Sequence, residues 1–247
     1  MDLDTEQNQS IQEKIHLLNK TISKTQQIQI IENIAKSGID GQESLLILLK
    51  NRRLNEKFQV SFIDTIIFDI LSNTEIPKIY KKLYQIFPQG IIKLSPSLKL
   101  NYEQLQYLLI NKQFQQADQL TQQHLCELAG LAKDNKRQWL YFTDIPSIPS
   151  EDLFIIDLLW KTYSKEKFGF SVQRNIWLSN NRNWNILWEK IGWTQNGLMR
   201  RYPIEFIWET EAPKGHLPLF NQLRGIQVLL ALFQHKVWTE NNITKYI

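Results

Sequence analysis

The sequence predicts an all-α protein in two parts, a helical bundle over residues 1–92 and an all-helical domain with long loops over residues 93–247. Three observations carry this. Apolar residues recur at helical spacing, as in Ile11, Ile15, Leu18 and Ile22, then Ile28, Ile31 and Ile34, then Leu45, Leu48 and Leu49. Residues 88–99 (PQGIIKLSPSLK) crowd two prolines, one glycine and two serines into one stretch, the composition of a boundary between compact units. All eight tryptophans fall after residue 138, so the aromatic weight from which pockets and interfaces are built lies in the second part.

In the first part, short polar breaks separate about five helices. Ser37-Gly38 and Asp40-Gly41 are expected to punctuate the second and third, and Asn73-Thr74 to open one that ends near Phe87. No fixed period marks a repeat. The expected role is packing or partner docking, without chemistry. In the second part, Tyr102–Ile110 and Phe114–Leu128 read as helices, with Gly130 as the C-terminal cap of the latter. Trp139–Phe142 enters a loop that holds Pro146 and Pro149. Asp152–Tyr163 and Ser171–Leu178 follow as helices, the latter with a serine N-cap, and Trp184–Ile191 ends at Gly192-Trp193. From Thr194 to Lys214 no period holds, and a long loop inside a compact domain is usually functional. Residues 212–225 (APKGHLPLFNQLRG) then lead through a proline-glycine turn into a helix expected to start at Pro218 and run to about Phe233. It is apolar nearly all round and predicted to be buried, with Asn221, Arg224 and Gln227 as polar interruptions on one arc. A guanidinium there calls for an anionic partner.

Composition bounds the function classes. The formal charge of +4 comes from 29 basic and 25 acidic residues that are interleaved, which argues weakly for an anionic partner and poorly for nucleic acid. Cys126 is the one cysteine, which excludes an intramolecular disulfide and a cysteine-based metal site and reads as a small core residue. The N-terminal MDLDTEQNQ is acidic and carries neither signal-peptide nor transit-peptide character, so the protein is expected to work where it is made. No apolar run approaches the roughly 20 residues that span a bilayer. Usage is skewed to 31 Ile, 18 Asn and 21 Lys against 8 Arg, the mark of an AT-rich genome, of which organelle genomes are one kind.

Catalytic constellations are weak. The four histidines (16, 124, 216 and 235) are scattered. Asp144, Glu151, Asp152 and Asp157 cluster in sequence, but helix capping is their commoner role. There is no phosphate-binding glycine loop, nucleophile elbow or Cys–His signature. Aromatics interleaved with Arg174, Arg182, Arg200 and Arg201 could stack bases and pair phosphates, yet no recognition motif accompanies them. A third reading is a large, flat, apolar ligand with acidic edges. Met199, Tyr202, Phe206 and Trp208 offer an apolar surface with Trp193 at its base, and Arg200, Arg201 and Arg224 offer planar cations suited to carboxylates. The plain alternative is that about half of these aromatics are simply core.

The motifs KFGFSVQRNIW (167–177), WLYFTDIPSIPSEDLFIIDLLW (139–160), IGW (191–193) and APKGHLPLFNQLRG resemble the genomes-uncoupled-four family, porphyrin-binding accessory proteins of magnesium chelatase in cyanobacteria and plastids. The resemblance covers about residues 105–238, and the N-terminal bundle fits the arrangement of cyanobacterial and algal members. It implies an all-α core shaped like a cupped hand, whose palm and finger-like loops hold protoporphyrin IX or magnesium protoporphyrin IX, with no intrinsic metal cofactor and no catalysis. The implied role is to stimulate the chelatase together with its large porphyrin-binding subunit, by delivering substrate, carrying product away or shielding it from light. Carried over by residue, Tyr202 and Phe206 match pocket-covering positions, and Asn221 and Arg224 match positions that meet the propionates. Gln227, Trp193, Met199, Arg200, Arg201, Phe142, Phe170 and Trp208 complete the expected ligand-binding set. Two departures stand out: Tyr202 replaces a tryptophan, and Gln227 replaces an arginine, for which Arg200 or Arg201 is expected to compensate. His216 is a conceivable axial ligand but is expected to hold its turn. The chain ends nine residues after Trp238, short of the phosphorylated extension of the land-plant form. A plastid location with plastid encoding, or a cyanobacterial cytoplasm, follows from the resemblance, as does a monomer with room for peripheral membrane association. An enzyme acting on a porphyrin in the same pocket and a single-stranded nucleic-acid binder remain the alternatives.

Overall fold

In a computed structural model of the chain, the described residues are 3–18, 20, 23–54, 60–131, 137–219 and 226–239, with backbone alone for 3–9. Contacts divide the chain into two compact units, Met1–Ile92 and Lys93–Ile247. The all-α expectation holds: among the described residues there are eleven α-helices and one two-stranded sheet.

The first unit comprises α1 (Leu3–Leu18), α2 (Lys24–Ala35), α3 (Gly38–Leu54), α4 (Phe62–Ser72) and α5 (Pro77–Ile86). Local chemistry starts several of them. Ser23 and Gln26 form a capping box on α2, with Ser23 Oγ accepting from the Gln26 N–H at 3.3 Å and Gln26 Oε1 accepting from the Ser23 N–H at 3.0 Å. Ser61 and Asp64 do the same for α4, and the fully buried Asp64 also accepts from Arg52 Nε at 2.5 Å, so the charge it buries is paired. Pro77 occupies the first turn of α5, where a missing N–H costs nothing. Ile31, Ile34, Leu45, Leu49, Ile67, Leu71, Ile79 and Leu83 fill the core. The expectation that Asp40-Gly41 punctuates helices is corrected, because both residues lie within α3. A Cβ at Gly41 would fall 1.9 Å from the Ile34 carbonyl oxygen, so this glycine is there to let α2 and α3 approach.

The second unit comprises α6 (Glu103–Ile110), α7 (Phe114–Leu128), α8 (Ser150–Tyr163), α9 (Phe170–Ser179), α10 (Trp184–Lys190), β1 (Thr194–Gln195), β2 (Leu198–Met199) and α11 (Ile226–Phe233). Most bounds follow the sequence reading to within about two residues. Gly130 caps α7 with φ of 78°, and the Leu131 N–H returns to the Cys126 carbonyl at 3.0 Å. The core centres on the fully buried Trp160 of α8, which donates from Nε1 to Thr121 Oγ1 at 3.0 Å and lies against Phe114 and Phe168.

Two expectations fail here. Ser171 does not cap α9: its hydroxyl has no partner, and the buried Asp157 of α8 accepts from the Ser171 N–H at 2.8 Å instead. Nor does a helix start at Pro218, which follows a cis peptide bond in non-helical chain. Residues 220–225, and with them Asn221 and Arg224, lie outside the described residues. The described part of α11 buries one face through Val228, Leu229, Leu232 and Phe233 while Ile226 and Gln227 are exposed, so it is amphipathic rather than buried all round.

Candidate functional site

Two stretches distant in sequence form one frame. The Gly169 N–H donates to the Leu217 carbonyl at 2.9 Å, and the Gly215 N–H donates to the Lys167 carbonyl at 2.8 Å. The fully buried Gln173 closes the frame, donating from Nε2 to the Gly215 carbonyl at 2.9 Å and the Pro218 carbonyl at 2.8 Å. Buried backbone of irregular shape must find such partners, and these side chains provide them. The glycines are steric requirements. A Cβ on Gly169 (φ 133°) would meet Asp157 Oδ1 at 2.8 Å, and one on Gly215 (φ 81°) would meet Ile176 and Ile191 side chains at 2.9 Å.

His216 fastens this frame to the segment before it. Its Nδ1 donates to the Ile191 carbonyl at 2.6 Å, and its Nε2 accepts from the Ile207 N–H at 3.1 Å, a pattern that only the neutral Nδ1–H tautomer satisfies. Burial holds its pKa below the usual imidazole value, the Ile191 bond opposing and Arg200 adding to the shift. Both ring nitrogens are occupied, so His216 holds its turn and has no lone pair to offer a metal. The Trp193 Nε1 donates to the His216 carbonyl at 2.8 Å.

From this frame projects a finger, residues 194–208. Asn196 and Gly197 take φ of 51° and 77°, a type I′ turn, and β1 pairs antiparallel with β2, Thr194 opposite Met199. Beyond the hairpin the finger closes on itself. The Arg201 N–H donates to Glu205 Oε2 at 2.7 Å, Arg200 Nη1 donates to the Glu205 carbonyl at 2.5 Å, and Trp208 Nε1 donates to the Pro203 carbonyl at 3.0 Å. The Tyr202 phenol is held above its usual pKa, chiefly by burial. The finger turns apolar side chains outward: Ile204 is 91% exposed and Leu198 75%, with Met199 and Tyr202 each at 43%.

An aromatic ladder runs into this finger. Successive ring centroids lie 5.0 Å apart for Trp177–Trp184, 5.3 Å for Trp184–Trp188 and 5.2 Å for Trp188–Trp193. The ladder continues through Phe206 (6.4 Å from Trp193), Trp208 (6.3 Å from Phe206) and Tyr202 (6.0 Å from Trp208). Thus Trp193, Met199, Arg200, Arg201, Tyr202, Phe206 and Trp208 are gathered on the finger and its root. Phe170 is fully buried at the start of α9, Phe142 is half exposed on a separate loop, and Gln227 is exposed on α11.

One residue that the sequence reading missed stands at the end of the frame. Asp118 of α7 is buried, and its Oδ1 accepts from the Leu219 N–H at 2.6 Å. Burial pushes its carboxyl up to about 8 despite that bond. The signal was available: Phe114, Ala117, Asp118, Thr121 and Leu125 share one helical stripe, so the carboxylate sits on a core-facing position. The acidic cluster, by contrast, is fully engaged. Asp144 pairs with Arg137 at 2.7 Å, Glu151 accepts from Ser97 Oγ at 2.6 Å, Asp152 accepts from the Tyr102 hydroxyl at 2.7 Å, and Asp157 holds the start of α9. Among the described residues no group of histidine, cysteine and carboxylate side chains could hold a metal ion, and no helix is long and apolar enough to cross a membrane.

The family model described as GUN4-like matches residues 95–236, a span that includes the frame, the ladder and the finger. The chain belongs to the GUN4 family. It is 46% identical over 219 residues to ycf53 of Pyropia yezoensis, covering 89% of this chain and 92% of that protein. It is 38% identical over 143 residues to the Arabidopsis thaliana tetrapyrrole-binding protein, chloroplastic, covering 54% of each. Among solved structures, that of GUN4 from Chlamydomonas reinhardtii matches with a TM-score of 0.54 at 37% identity, covering 60% of this chain and 96% of that one. The motif-level resemblance thus has the family it named.

Proposed function

We propose that this GUN4-family chain binds a tetrapyrrole, protoporphyrin IX or its magnesium form, against the finger, and stimulates magnesium chelatase as a porphyrin carrier and regulator rather than as a catalyst. The observation that carries the reading is an outward row of apolar and aromatic side chains on a finger rooted in a buried frame whose two stretches are hydrogen-bonded to each other. Nothing in the packing of a lone chain calls for such a row. The name of the Arabidopsis relative supports the ligand class and a plastid setting. Engagement of every carboxylate in the Asp144–Asp157 cluster supports a carrier over a catalyst. The large porphyrin-binding subunit of the chelatase is the partner this reading calls for.

Tyr202 and Met199 would lie against the macrocycle, with Phe206, buried against Trp193, Trp208 and His216, backing the finger, and Asn221 and Arg224 would meet its propionates. Titration with either porphyrin, followed by tryptophan fluorescence and the porphyrin absorption band, should show saturable quenching at micromolar ligand. A linear, non-saturating response would overturn the proposal. Arg224→Ala should weaken binding roughly tenfold, the worth of a charged hydrogen bond. An unchanged affinity in that variant would move the propionate anchor to Arg200 or Arg201.

A further inference from the structure

We infer that Asn196-Gly197, at the tip of the hairpin, is a site of spontaneous chemical modification: the asparagine deamidates through a succinimide, and the isoaspartyl product weakens the finger's hold on its ligand. The weakening rests on the reading of the finger as the tetrapyrrole surface; the modification does not.

Of the 18 asparagines, Asn196 is the one followed by glycine. The reaction needs a free side-chain amide and an unhindered backbone nitrogen one residue on, and the hairpin tip has both. Asn196 and Gly197 are exposed, no hydrogen bond among the described residues engages the Asn196 amide or the Gly197 N–H, and a Cβ on Gly197 would meet no atom within 4 Å. The other described asparagines of turns and helix ends are held. The amides of Asn73, Asn111 and Asn180 donate to the carbonyls of Asp69, Tyr107 and Ile176 at 2.7, 2.8 and 2.6 Å. Asn101 accepts from the Glu103 N–H at 2.8 Å, and Asn183 accepts at 3.1 Å from the Ile186 N–H, the nitrogen that follows Asn185. Asn181 shares the positive φ, at 54°, but the nitrogen that would attack it, that of Arg182, donates to the Trp177 carbonyl at 2.9 Å.

Water is the only co-reactant. The Gly197 nitrogen bonds to Asn196 Cγ, the Cγ–Nδ2 bond breaks, and ammonia leaves with the proton that the Gly197 nitrogen gives up. Water then opens the ring, and no electrons change hands. Attack at Cγ gives aspartate on a normal backbone, whereas attack at the main-chain carbonyl routes the chain through Cγ as isoaspartate, one backbone atom longer. A two-residue type I′ turn is matched to the twist of its strands, so the added atom spoils the register of Gln195 opposite Leu198 and Thr194 opposite Met199. The next bond down, from the Arg200 N–H to the Trp193 carbonyl at 2.9 Å, ties the hairpin to its root. Leu198 and Met199 are two of the apolar side chains that the finger turns outward.

The test holds the whole chain for days in warm, mildly alkaline buffer, beside the same chain in urea. In the native sample the tryptic peptide 191–200 should gain the mass of an amide-to-acid exchange and become a substrate for an isoaspartyl methyltransferase. Asn196→Gly, which suits a type I′ turn and lacks the amide, should stay unchanged. The isoaspartyl form, isolated by ion exchange, should bind protoporphyrin IX about threefold or more weakly than fresh protein, the worth of one lost apolar contact. Asn196→Asp, which adds only a charge at an exposed position, should stay within about twofold of the wild type. A peptide 191–200 that is modified in urea but not in the native chain would overturn the site. Isoaspartyl protein with the affinity of fresh protein would overturn the effect on the finger. Fresh protein that takes up no porphyrin would overturn the reading of the ligand surface and that effect with it, while the modification stands or falls on the peptide's mass.

Discussion

The frame and the finger of the second unit are both irregular chain, yet they obey opposite rules. In the frame, the backbone of 167–173 and 215–218 is buried, so its polar groups must pair; Gln173, Gly169 and Gly215 exist to make that possible. In the finger, backbone bonds close a small loop that faces solvent, and the side chains left outside are Leu198, Met199, Tyr202 and Ile204. The contrast teaches where to look for function. A buried irregular segment is explained by its own hydrogen bonds, whereas an exposed apolar one is explained only by something that covers it.

Substitutions can break or sharpen this contrast. The largest effect is expected in the frame, from Gly169→Ala. A φ of 133° and a Cβ 2.8 Å from Asp157 Oδ1 leave no relaxed position for the methyl, so chemical denaturation should show a loss of about 3 kcal/mol or more. Next comes Asp118→Asn, at the join between frame and helix. Burial pushes the folded carboxyl up to about 8 from its ordinary 3.8, so the folded chain keeps a proton that the unfolded chain releases. Its contribution is complete below about pH 4 and is lost as pH rises toward 8. The variant should therefore match the wild type near pH 4 and exceed it in melting temperature by a growing margin toward pH 8. The buried histidines run the other way. His124, lowered to about 4 by burial, and His216, also lowered, lose stability as pH falls below their unfolded value of 6.5. The smallest stability effect belongs to the finger tip: Ile204→Ser should change unfolding free energy by less than about 0.5 kcal/mol. In the porphyrin titration, the same substitution should nonetheless weaken binding. Equal affinity would remove Ile204 from the ligand surface.

Much of the fold was legible beforehand because helices announce themselves locally. The apolar spacing of α7 and α8, the glycine after α7 and the proline at the start of α5 each act within a few residues of where they stand. The hairpin of 194–199 is signalled by Asn196-Gly197, but two-residue strands carry no alternation, so periodicity alone reads the segment as loop. The serine cap on α9 failed for a tertiary reason: a carboxylate from α8 reached the Ser171 N–H first. The site residues divide in the same way. The aromatic richness after residue 138 was plain, while the ladder that orders Trp177, Trp184, Trp188, Trp193, Phe206, Trp208 and Tyr202 depends on the packing of α9, α10 and the finger.

By itself, then, the sequence determined the helical class, most helix positions and the family, because periodicity, caps and motifs are short-range or linear signals. Only the tertiary structure decided that His216 spends both nitrogens on the backbone, that Gly169 and Gln173 serve Leu217, Gly215 and Pro218, and that the buried Asp118 receives the Leu219 N–H. Those facts depend on which distant backbone groups are buried together, and so they exist only once the chain has closed on itself.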